Sequence, residues 1–468
     1  MKIRNILYSL LLLGPTLLLS GCGEDRSKEI DQIQETQQWI YQKMVDNYLW
    51  YEDIPEKSKL NFWHSPDKFF YSLLSEQDGN PERKIKFSSI TQIVQEKKTR
   101  SVNANYSYGI EFYAEAAGAY VIYILPDSPA EQAGLERGDN IIKVDGTTIN
   151  KDNFQLIQSG GEISSLEFKR KGQLYTTRVA EATEVNDDPL LICEKFDNYS
   201  NLGYVMYNHF SYDTDRSNVT NYYEGKYLIN MVNQFKKLKQ QGVQDLILDL
   251  RYNMGGEVQT ASTLIAMICP SRNINDNLGR MEYNNKQSSR NQDLGASQKY
   301  LTETGAENLD IKNLYILVSN NTASASELVI NALKPFMNVH VIGLPTIGKN
   351  VGSYAMISPN KEWMMNPISI KIYNNLMQSD YSKGFAPGIQ NSSTTGLILQ
   401  NYFVSEGLNL QKLGTEADPL FAKAIEIRGS QRQIGTRAIN DYSKSYGVLS
   451  LSTKYPKELI MDDFLEKN

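Results

Sequence analysis

The spacing of apolar residues divides the chain into a helical beginning, a strand-rich middle and a longer mixed region. In residues 36–51, apolar and aromatic side chains recur every three or four positions, which places them on one face of a helix. A second helical stretch covers residues 66–74. We expect a small helical region with no chemistry of its own, preceded by a polar, acidic tether over residues 23–35.

Residues 105–181 follow another pattern, in which short apolar runs alternate with turn signals. The runs at residues 120–125 and 140–144 predict two strands. A further strand pair, residues 165–170 and 174–179, is joined by a Lys-Gly-Gln turn. This region therefore predicts a small domain made mainly of β-structure.

From about residue 190 to about residue 430, strands alternate with helices, which predicts an α/β domain. Its clearest strands are residues 245–250 and 314–319, each an almost continuous apolar run. A chain of 468 residues is too long for one ordinary core, so several domains are expected. The predicted divisions are a leader over residues 1–21, a tether and helical region over 22–100, a β domain over 101–183, an α/β core over 184–430 and a polar tail over 431–468.

The first 22 residues have the pattern of a processed leader. Lys2 and Arg4 precede an apolar run over residues 6–19, which is too short for a membrane span. The run ends in Leu-Ser-Gly-Cys at residues 19–22, which resembles the bacterial lipobox. That resemblance implies acylation of Cys22 and a mature protein anchored to a membrane surface. An ordinary signal peptide with a chance cysteine is the alternative.

Composition excludes several classes of protein. Hydrophobic residues make up 41% and charged residues 22%, as in soluble globular proteins. The net charge is −6 and no basic patch stands out, which argues against nucleic acid as a partner. The three histidines, His64, His209 and His340, are not at metal-ligand spacing, so we expect no metal and no cofactor. Cys193 and Cys269 either pair in an oxidising compartment or are two buried thiols.

Residues 128–146 resemble a PDZ domain, with a short helix, a Gly-Asp turn, a buried strand and an Asp-Gly turn at the family's offsets. Upstream lies the position of the family's carboxylate-binding loop, here Tyr108, Gly109, Ile110, Glu111 and Phe112. Consecutive backbone N–H groups in such a loop bind an anion, and a peptide adds as a strand beside it. Because Glu111 replaces the usual second Gly, the module either captures peptide C-termini or serves only as a lid or regulator.

A candidate nucleophile lies in residues 314–328, where an apolar strand runs into a polar turn and then into a helix from about Ser326. Small residues around Ser324 allow a substrate backbone to approach its Oγ. The unpaired N–H groups and positive dipole end of the helix stabilise negative charge there. A plain capping turn has the same pattern, because Ser and Thr are favoured N-caps.

Three features together go beyond a capping turn. Lys349 follows another apolar strand, 25 residues after Ser324, in Thr-Ile-Gly-Lys-Asn-Val-Gly. The run Asp-Leu-Arg-Tyr-Asn-Met-Gly-Gly at residues 249–256 follows the buried strand at 245. Both lie downstream of the PDZ-like module. This combination resembles the C-terminal processing peptidases, or tail-specific proteases, over roughly residues 100–430.

The resemblance implies that Ser324 is the nucleophile and Lys349 the general base. A lysine accepts a proton only when neutral, so its pKa must be lowered by burial with no carboxylate beside it. The resemblance also implies an oxyanion hole formed by backbone N–H groups of Gly255, Gly256 and Ala325.

Two further positions support or weaken that site. Glu327 matches an acidic position of the family, or it only caps the helix. Ser353 stands where the family often has a Gln that orients the lysine, and a serine reaches less far. Gly388 replaces an Asp that the family normally has in a later segment.

The implied fold is multi-domain α/β, with a ββα-repeat, crotonase-like core, an inserted PDZ-like β domain and an N-terminal helical region. The implied function is a serine endopeptidase of the bacterial envelope, outside the cytoplasm, that cleaves protein or peptide substrates recognised near their C-termini. An acyl-CoA enzyme is a rival at the level of fold, but it has no use for a lipobox or a PDZ module. A catalytically weak or inactive PDZ-type peptide-binding lipoprotein is the second alternative. The substrate, any regulatory partner and the oligomeric state stay open.

Overall fold

Residues 27–93, 106–213, 221–393, 396–429 and 448–449 are described by the computed structural model. The predicted leader and Cys22 lie outside these residues, as does most of the predicted tail. No helix in the described ranges combines the length and the apolar character needed to span a membrane.

The N-terminal region is helical, as predicted, but its first helix begins early. It contains α1 (Ser27–Asn47), α2 (Pro66–Tyr71) and one short strand, β1 (Ser89–Gln92). The prediction of a tether over residues 23–35 is wrong from Ser27 onward. Residues 27–35 are mostly Lys, Glu, Gln and Ile, which have good helix propensity even without a clear apolar stripe. Met44 of α1 and Phe70 of α2 are fully buried in the same core.

The middle region is an antiparallel β domain with its own core, and its predicted strands are confirmed. Its elements are β2 (Tyr106–Ser107), β3 (Ile110–Glu115), β4 (Gly118–Ile124), α3 (Pro129–Gln132), β5 (Asn140–Val144), β6 (Thr147–Thr148), β7 (Ile163–Arg170), β8 (Gln173–Val179) and β9 (Thr183–Glu184). The main sheet has the order β3-β4-β5-β7-β8, and β2 pairs with β9 where the chain enters and leaves. Phe112, Val121, Ile141 and Leu166 fill the core.

The remaining elements belong to the α/β core, apart from a last short strand. They are β10 (Leu190–Lys195), β11 (Leu202–Tyr207), α4 (Lys226–Gln240), β12 (Asp245–Asp249), α5 (Val258–Ile268), β13 (Gly279–Tyr283), β14 (Gln292–Asp293), α6 (Ser297–Thr304), β15 (Asn313–Val318), α7 (Ala325–Leu333), β16 (Val339–Gly343), β17 (Val351–Ser353), β18 (Met356–Ile357), β19 (Trp363–Asn366), β20 (Ile368–Asn374), β21 (Gly388–Gln390), β22 (Leu397–Ile398), α8 (Pro419–Gly429) and β23 (Val448–Leu449). The multi-domain α/β fold class is thereby confirmed.

The central sheet has the order β10-β11-β12-β15-β16-β21-β22, and β11, β12, β15 and β16 are parallel. Successive side chains of a strand face opposite sides of the sheet. Leu246 and Leu248 belong to the core cluster that contains α4, α5 and α7, while Ile247 belongs to the cluster that contains residues of α8 and Tyr113 of the β domain. Because both faces are covered, these strands are apolar throughout rather than alternating.

Two smaller sheets connect the regions. The order β14-β13-β20-β17 forms an antiparallel sheet within the core. The order β1-β19-β18 pairs the N-terminal region with the core. The last strand, β23, pairs antiparallel with β3 of the β domain, with Val448 opposite Ala114 and Leu449 opposite Tyr113. This strand lies in the predicted polar tail, where no strand was expected.

A buried ion network joins the β domain to the core. Arg251, fully buried, donates to Asp249 at 2.9 Å, to Asp418 at 2.6 Å and to Glu406 at 3.1 Å. Glu406 also accepts a hydrogen bond of 2.9 Å from Arg137, which lies between α3 and β5. Buried charges are tolerated only when paired in this way, so the network fixes how the two domains meet.

We predict that Glu406→Gln destabilises the protein markedly, because the substitution takes one carboxylate from the fully buried Arg251 and from the largely buried Arg137. Removing one partner of a buried pair costs about 3 kcal/mol or more, which corresponds to a fall in Tm on the order of 5 °C. Thermal unfolding followed by circular dichroism measures the change. Glu416→Gln, at an exposed position near α8, is the matched control and should leave Tm unchanged. An equal Tm for both variants would contradict the prediction.

Candidate active site

Ser324 lies in a tight turn between β15 and α7. It is the N-cap of α7 and has φ 61° and ψ −117°, a conformation that residues other than glycine rarely adopt. The turn is bonded to the neighbouring turn after β12: Ser319 Oγ donates to Arg251 O at 2.5 Å and Thr322 Oγ1 donates to Leu250 O at 2.9 Å. These contacts hold Ser324 in its strained conformation.

The Ser324 side chain is fully buried, and its Oγ faces the backbone N–H of Glu327 in a capping box but meets full hydrogen-bond geometry with no group within the described ranges. A buried hydroxyl without a partner costs roughly 1–3 kcal/mol, so such groups are rare outside sites where they have a task. The group also lies at the N-terminus of α7, where negative charge is stabilised. A nucleophile that develops charge during a reaction fits both features.

Lys349 lies in the turn between β16 and β17 and is 1% exposed. Its Nζ is 5.8 Å from the centroid of the Phe87 ring. Gly348, just before it, has φ +92°, and a Cβ there would lie 2.3 Å from Ser382 O. Only glycine fits this position, so the Gly-Lys pair of the sequence reflects the shape of the turn.

Glu327 connects the Ser324 turn with the Lys349 turn. Its Oε2 accepts hydrogen bonds from Ser324 N and Lys349 N, both at 2.8 Å. Its Oε1 accepts from Gly348 N at 2.6 Å and from Thr346 Oγ1 at 2.5 Å. Burial raises the pKa of Glu327, whereas these four hydrogen bonds act in the opposite direction. The capping contact expected of Glu327 is formed, and the same carboxylate also orders the lysine turn.

The two glycines after β12 lie against the Ser324 side chain. Gly255 has φ +113°, and a Cβ there would be 2.6 Å from Ser324 Cβ. Its N–H donates to Asn253 Oδ1 at 2.8 Å, so this N–H is not available to an oxyanion, contrary to the sequence expectation. The N–H groups of Gly256 and Ala325 bond to no group in the part of the chain that is described, and they are the remaining donors.

Two departures from the family pattern have structural outcomes. Ser353 is buried in β17, but its Oγ has no partner among the described residues, so the expected support of Lys349 by this hydroxyl is not formed. Its short side chain accounts for this outcome. Gly388 begins β21 with φ +147°, and a Cβ there would lie 2.0 Å from Leu397 O. The pairing of β21 with β22 therefore excludes the Asp that the family has at this position.

Of the residues predicted to form the carboxylate-binding loop, Tyr108 and Gly109 precede β3, and Ile110, Glu111 and Phe112 are its first three residues. Gly109 has φ +76°, and a Cβ there would lie 2.3 Å from Ser128 Cβ. Glu111 is buried within β3, opposite Tyr123. Two residues further on, the ring of Tyr113 is 5.9 Å from that of Tyr252 in the core. Strand β3 thus packs beside the turn that carries Gly255 and Gly256.

Other side chains considered from the sequence take no part in the site. His340 Nδ1 lies 2.9 Å from Tyr402 OH, and burial lowers the pKa of His340 to about 4. Cys193 and Cys269 are free thiols, and burial raises the pKa of Cys269 to about 11. Within the described ranges, no group of His, Cys, Asp or Glu side chains could hold a metal ion.

Sequence reasoning missed two groups at the site. Thr346 Oγ1, which donates to Glu327, also accepts a hydrogen bond of 2.7 Å from Phe385 N. Arg83 of the N-terminal region donates to Asn320 O and Thr346 O in the two turns. Thr346 is the first residue of the motif that contains Lys349, so its place in that motif could have indicated a role at the site. Arg83 offers no local signal, because its partners lie more than 200 positions along the chain.

Three family models match the chain in the order of its regions. The model of the peptidase S41 N-terminal domain matches residues 35–89, a PDZ domain model matches 120–170 and the model of peptidase family S41 matches 201–390. Each match falls inside the corresponding region of the structure.

Known proteins agree with these models. The chain is 24% identical over 319 residues to a carboxyl-terminal-processing protease of Picosynechococcus, covering 66% of each chain. It is 27% identical over 248 residues to the carboxy-terminal processing protease CtpA of Bacillus subtilis, covering 52% of this chain and 47% of that one. These matches span between about half and two thirds of the relatives' length.

A crystal structure assigned to the S41 proteases, from Bacteroides fragilis, is 27% identical to the chain with a TM-score of 0.69. The match covers 84% of this chain and 98% of that one. Sequence models, relatives and fold agree over the N-terminal region, the β domain and the core. The chain belongs to peptidase family S41, the family of the C-terminal processing proteases, and carries a PDZ domain.

Proposed function

We propose that the protein is a serine endopeptidase that cleaves proteins or peptides recognised near their C-termini, with Ser324 as nucleophile and Lys349 as general base. One observation carries this proposal. A single buried carboxylate, Glu327, accepts the backbone N–H groups of both residues at 2.8 Å. A catalytic pair needs a fixed mutual position, and a shared carboxylate provides it.

The reaction follows from the groups present. Ser324 Oγ attacks the substrate carbonyl and passes its proton to Lys349 Nζ, while the N–H groups of Gly256 and Ala325 and the start of α7 stabilise the oxyanion. The lysine then gives the proton to the leaving amine. A water molecule, activated by Lys349, hydrolyses the ester. This step requires Ser324 Oγ and Lys349 Nζ to be within hydrogen-bond reach in the complex with substrate.

The environment of Lys349 suits a base. The residue is 1% exposed, and burial disfavours the charged form of an amine. The Glu327 carboxylate, which accepts the backbone N–H of Lys349, takes four hydrogen bonds in all, three of them from backbone N–H groups. Its charge is therefore directed at the main chain of the turn.

The PDZ domain supports recognition of an extended peptide. The segment of residues 108–112 includes the start of β3, and the edge of this strand already pairs with β23 in antiparallel direction. A strand that is antiparallel to β3 ends near the first residues of β3. A peptide bound in the same way would therefore have its C-terminus close to Tyr108 and Gly109. The packing of Tyr113 on Tyr252 puts this edge beside the active-site turns.

The second candidate is a catalytically weak or inactive PDZ-type peptide-binding lipoprotein. The unsupported Ser353 hydroxyl and the absence of a hydrogen bond to Ser324 Oγ in the described residues favour it. A fluorophosphonate probe distinguishes the two candidates, because only an activated serine reacts with the probe. Labelling that Ser324→Ala abolishes supports the enzyme, and no labelling of the wild type supports the binding protein.

We predict that Ser324→Ala and Lys349→Ala each abolish cleavage of an unfolded substrate with a free C-terminus, without loss of fold. Because nucleophile and base act as a unit, the double variant should be no worse than either single one. Ser288→Ala and Lys299→Ala, at exposed positions, are matched controls. Cleavage by Lys349→Ala at more than about a tenth of the wild-type rate would exclude Lys349 as the base.

Glu327→Gln is expected to lower kcat roughly 100-fold with little change in KM. The amide keeps one acceptor oxygen, but its NH₂ group faces two of the N–H or O–H donors that the carboxylate served. The two catalytic turns then lose their common support. Steady-state kinetics with the tailed substrate measures the effect, and Glu303→Gln on α6 is the control. A wild-type kcat for Glu327→Gln would contradict the role of Glu327 in holding the two turns in position.

We also propose that the mature protein is lipid-anchored through Cys22, outside the cytoplasm of a bacterial cell. The support is the charged start, the apolar run and the Leu-Ser-Gly-Cys sequence. Acyl chains contribute roughly 0.8 kcal/mol for each buried CH₂ group, so several chains hold a protein at a bilayer.

The wild-type protein should therefore fractionate with membranes, resist high salt and dissolve in detergent, while Cys22→Ser should stay an uncleaved precursor. Fractionation and mass spectrometry of the N-terminus are the measurements. A mature wild-type protein in the salt-washed soluble fraction, beginning at a residue other than Cys22, would refute the anchor.

A further inference from the structure

Residues 78–88 of the N-terminal region, here called the clamp segment, reach both catalytic turns. Arg83 Nη1 donates to Asn320 O at 2.8 Å, four residues before Ser324. Arg83 Nη2 donates to Pro345 O at 2.8 Å and to Thr346 O at 2.9 Å, just before Lys349. One guanidinium thus bridges the turn of the nucleophile and the turn of the base.

Two further side chains of the clamp segment contact the lysine turn. Asn80 Nδ2 donates to Ile347 O at 2.9 Å, and Asn80 Oδ1 accepts from Arg83 N at 3.2 Å. The buried ring of Phe87 lies below Lys349, 5.8 Å from its Nζ. Three successive carbonyls, those of residues 345–347, therefore bond to the clamp segment.

The lysine turn is consequently held from two sides. Its carbonyl groups at 345–347 bond to Arg83 and Asn80, and its N–H groups at Gly348 and Lys349 bond to Glu327. A turn fixed through both kinds of main-chain group has little freedom to rotate. The direction of the Lys349 side chain is set by that turn.

The clamp segment has its own anchor, independent of the catalytic turns. The buried carboxylate of Asp78 accepts from Phe87 N and Ser88 N at 3.0 Å and from Tyr48 OH at 2.8 Å. Ser88 Oγ accepts from Ile368 N at 2.9 Å, which ties the segment to β20. These bonds hold the clamp segment in place, so Arg83 and Asn80 extend from a rigid part of the structure.

The choice of arginine has a physical reason. Its planar fork offers several donors in fixed directions, so one side chain can serve three carbonyl oxygens, whereas the ammonium of a lysine is a single point. Burial lowers the pKa of Arg83, and Glu327 and Glu82 oppose this change. In the described residues, the hydrogen bonds of this partly buried guanidinium all go to main-chain carbonyls, which indicates a structural role for Arg83.

We propose that Arg83 is a positioning residue for the Ser324–Lys349 pair. The clamp segment sets the relation between the two catalytic turns, although it contributes no reacting atom. The N-terminal region, for which the sequence predicted no chemistry, is then required for catalysis and not only for stability. This inference rests on the proposed peptidase function.

Kinetics of three variants in the full-length protein test the proposal: Arg83→Gln, Arg83→Lys and Lys84→Gln. Lys84 is the exposed neighbour in the same turn and serves as the control. Misplacement of a catalytic group by about 1 Å costs on the order of 100-fold, so Arg83→Gln should lower kcat by about 10- to 100-fold. KM should stay within about twofold and fluorophosphonate labelling should slow by the same factor as kcat. Arg83→Lys should recover part of the loss, and Lys84→Gln should behave as wild type.

Hydrogen–deuterium exchange provides a readout independent of activity. Arg83→Gln should speed exchange at the amides of Gly348 and Lys349, and Lys84→Gln should not. A wild-type kcat in Arg83→Gln overturns the proposal, as does a loss of kcat with unchanged exchange at these amides. If Arg83→Gln fails to fold, Asn80→Ala, which removes only the contact to Ile347 and the support of Arg83, decides by the same two criteria. An inactive wild type would instead contradict the proposed function, while the exchange data would still test the clamp.

Discussion

The buried carboxylate of Glu327 is the group on which the site depends. A carboxylate in the protein interior is tolerated only when its oxygens are hydrogen-bonded, so its four donors are a requirement of stability. Three of those donors are backbone N–H groups of the residues at or next to Ser324 and Lys349. Local capping of α7 and the placement of the lysine turn therefore follow from one energetic constraint. The chain cannot satisfy Glu327 without bringing the two turns together.

The sheet provides the second constraint. Because β12 and β15 are adjacent and parallel, the turns after them leave the same edge of the sheet. The bonds of Ser319 and Thr322 to the carbonyls of residues 250 and 251 lock those two turns to each other. Behind them the Arg251 network continues through Glu406 to Arg137 of the PDZ domain. The position of the PDZ domain is thus set by the same ion cluster that supports the turn with Gly255 and Gly256.

The parts of this molecule that the sequence predicted are those with local causes. The strands at 245 and 314 and the strands of the PDZ domain were visible because apolar periodicity and turn residues act over a few positions. The start of α1 was missed because its polar residues have helix propensity without an apolar stripe. Strand β23 was missed because its pairing depends on the open edge of β3 and not on its own residues. The hydrogen bond from Gly255 N–H to Asn253 could not be predicted from the sequence, because it depends on one side-chain rotamer.

The contacts of the lysine turn also bear on the role of general base proposed for Lys349, because they support this residue through the main chain. A carboxylate placed on the Nζ of Lys349 would hold the side chain well, but it would favour the ammonium, which cannot accept a proton. A base that must be neutral therefore needs supports that do not touch its charge. Glu327 bonds to the N–H groups of Gly348 and Lys349, and Arg83 bonds to the carbonyls of Pro345 and Thr346. The two charged side chains fix the direction of the lysine while their opposite charges act on opposite sides of its turn. The N-terminal region supplies one of these supports and helix α7, which follows Ser324, supplies the other, so this arrangement requires both parts of the chain to be folded together.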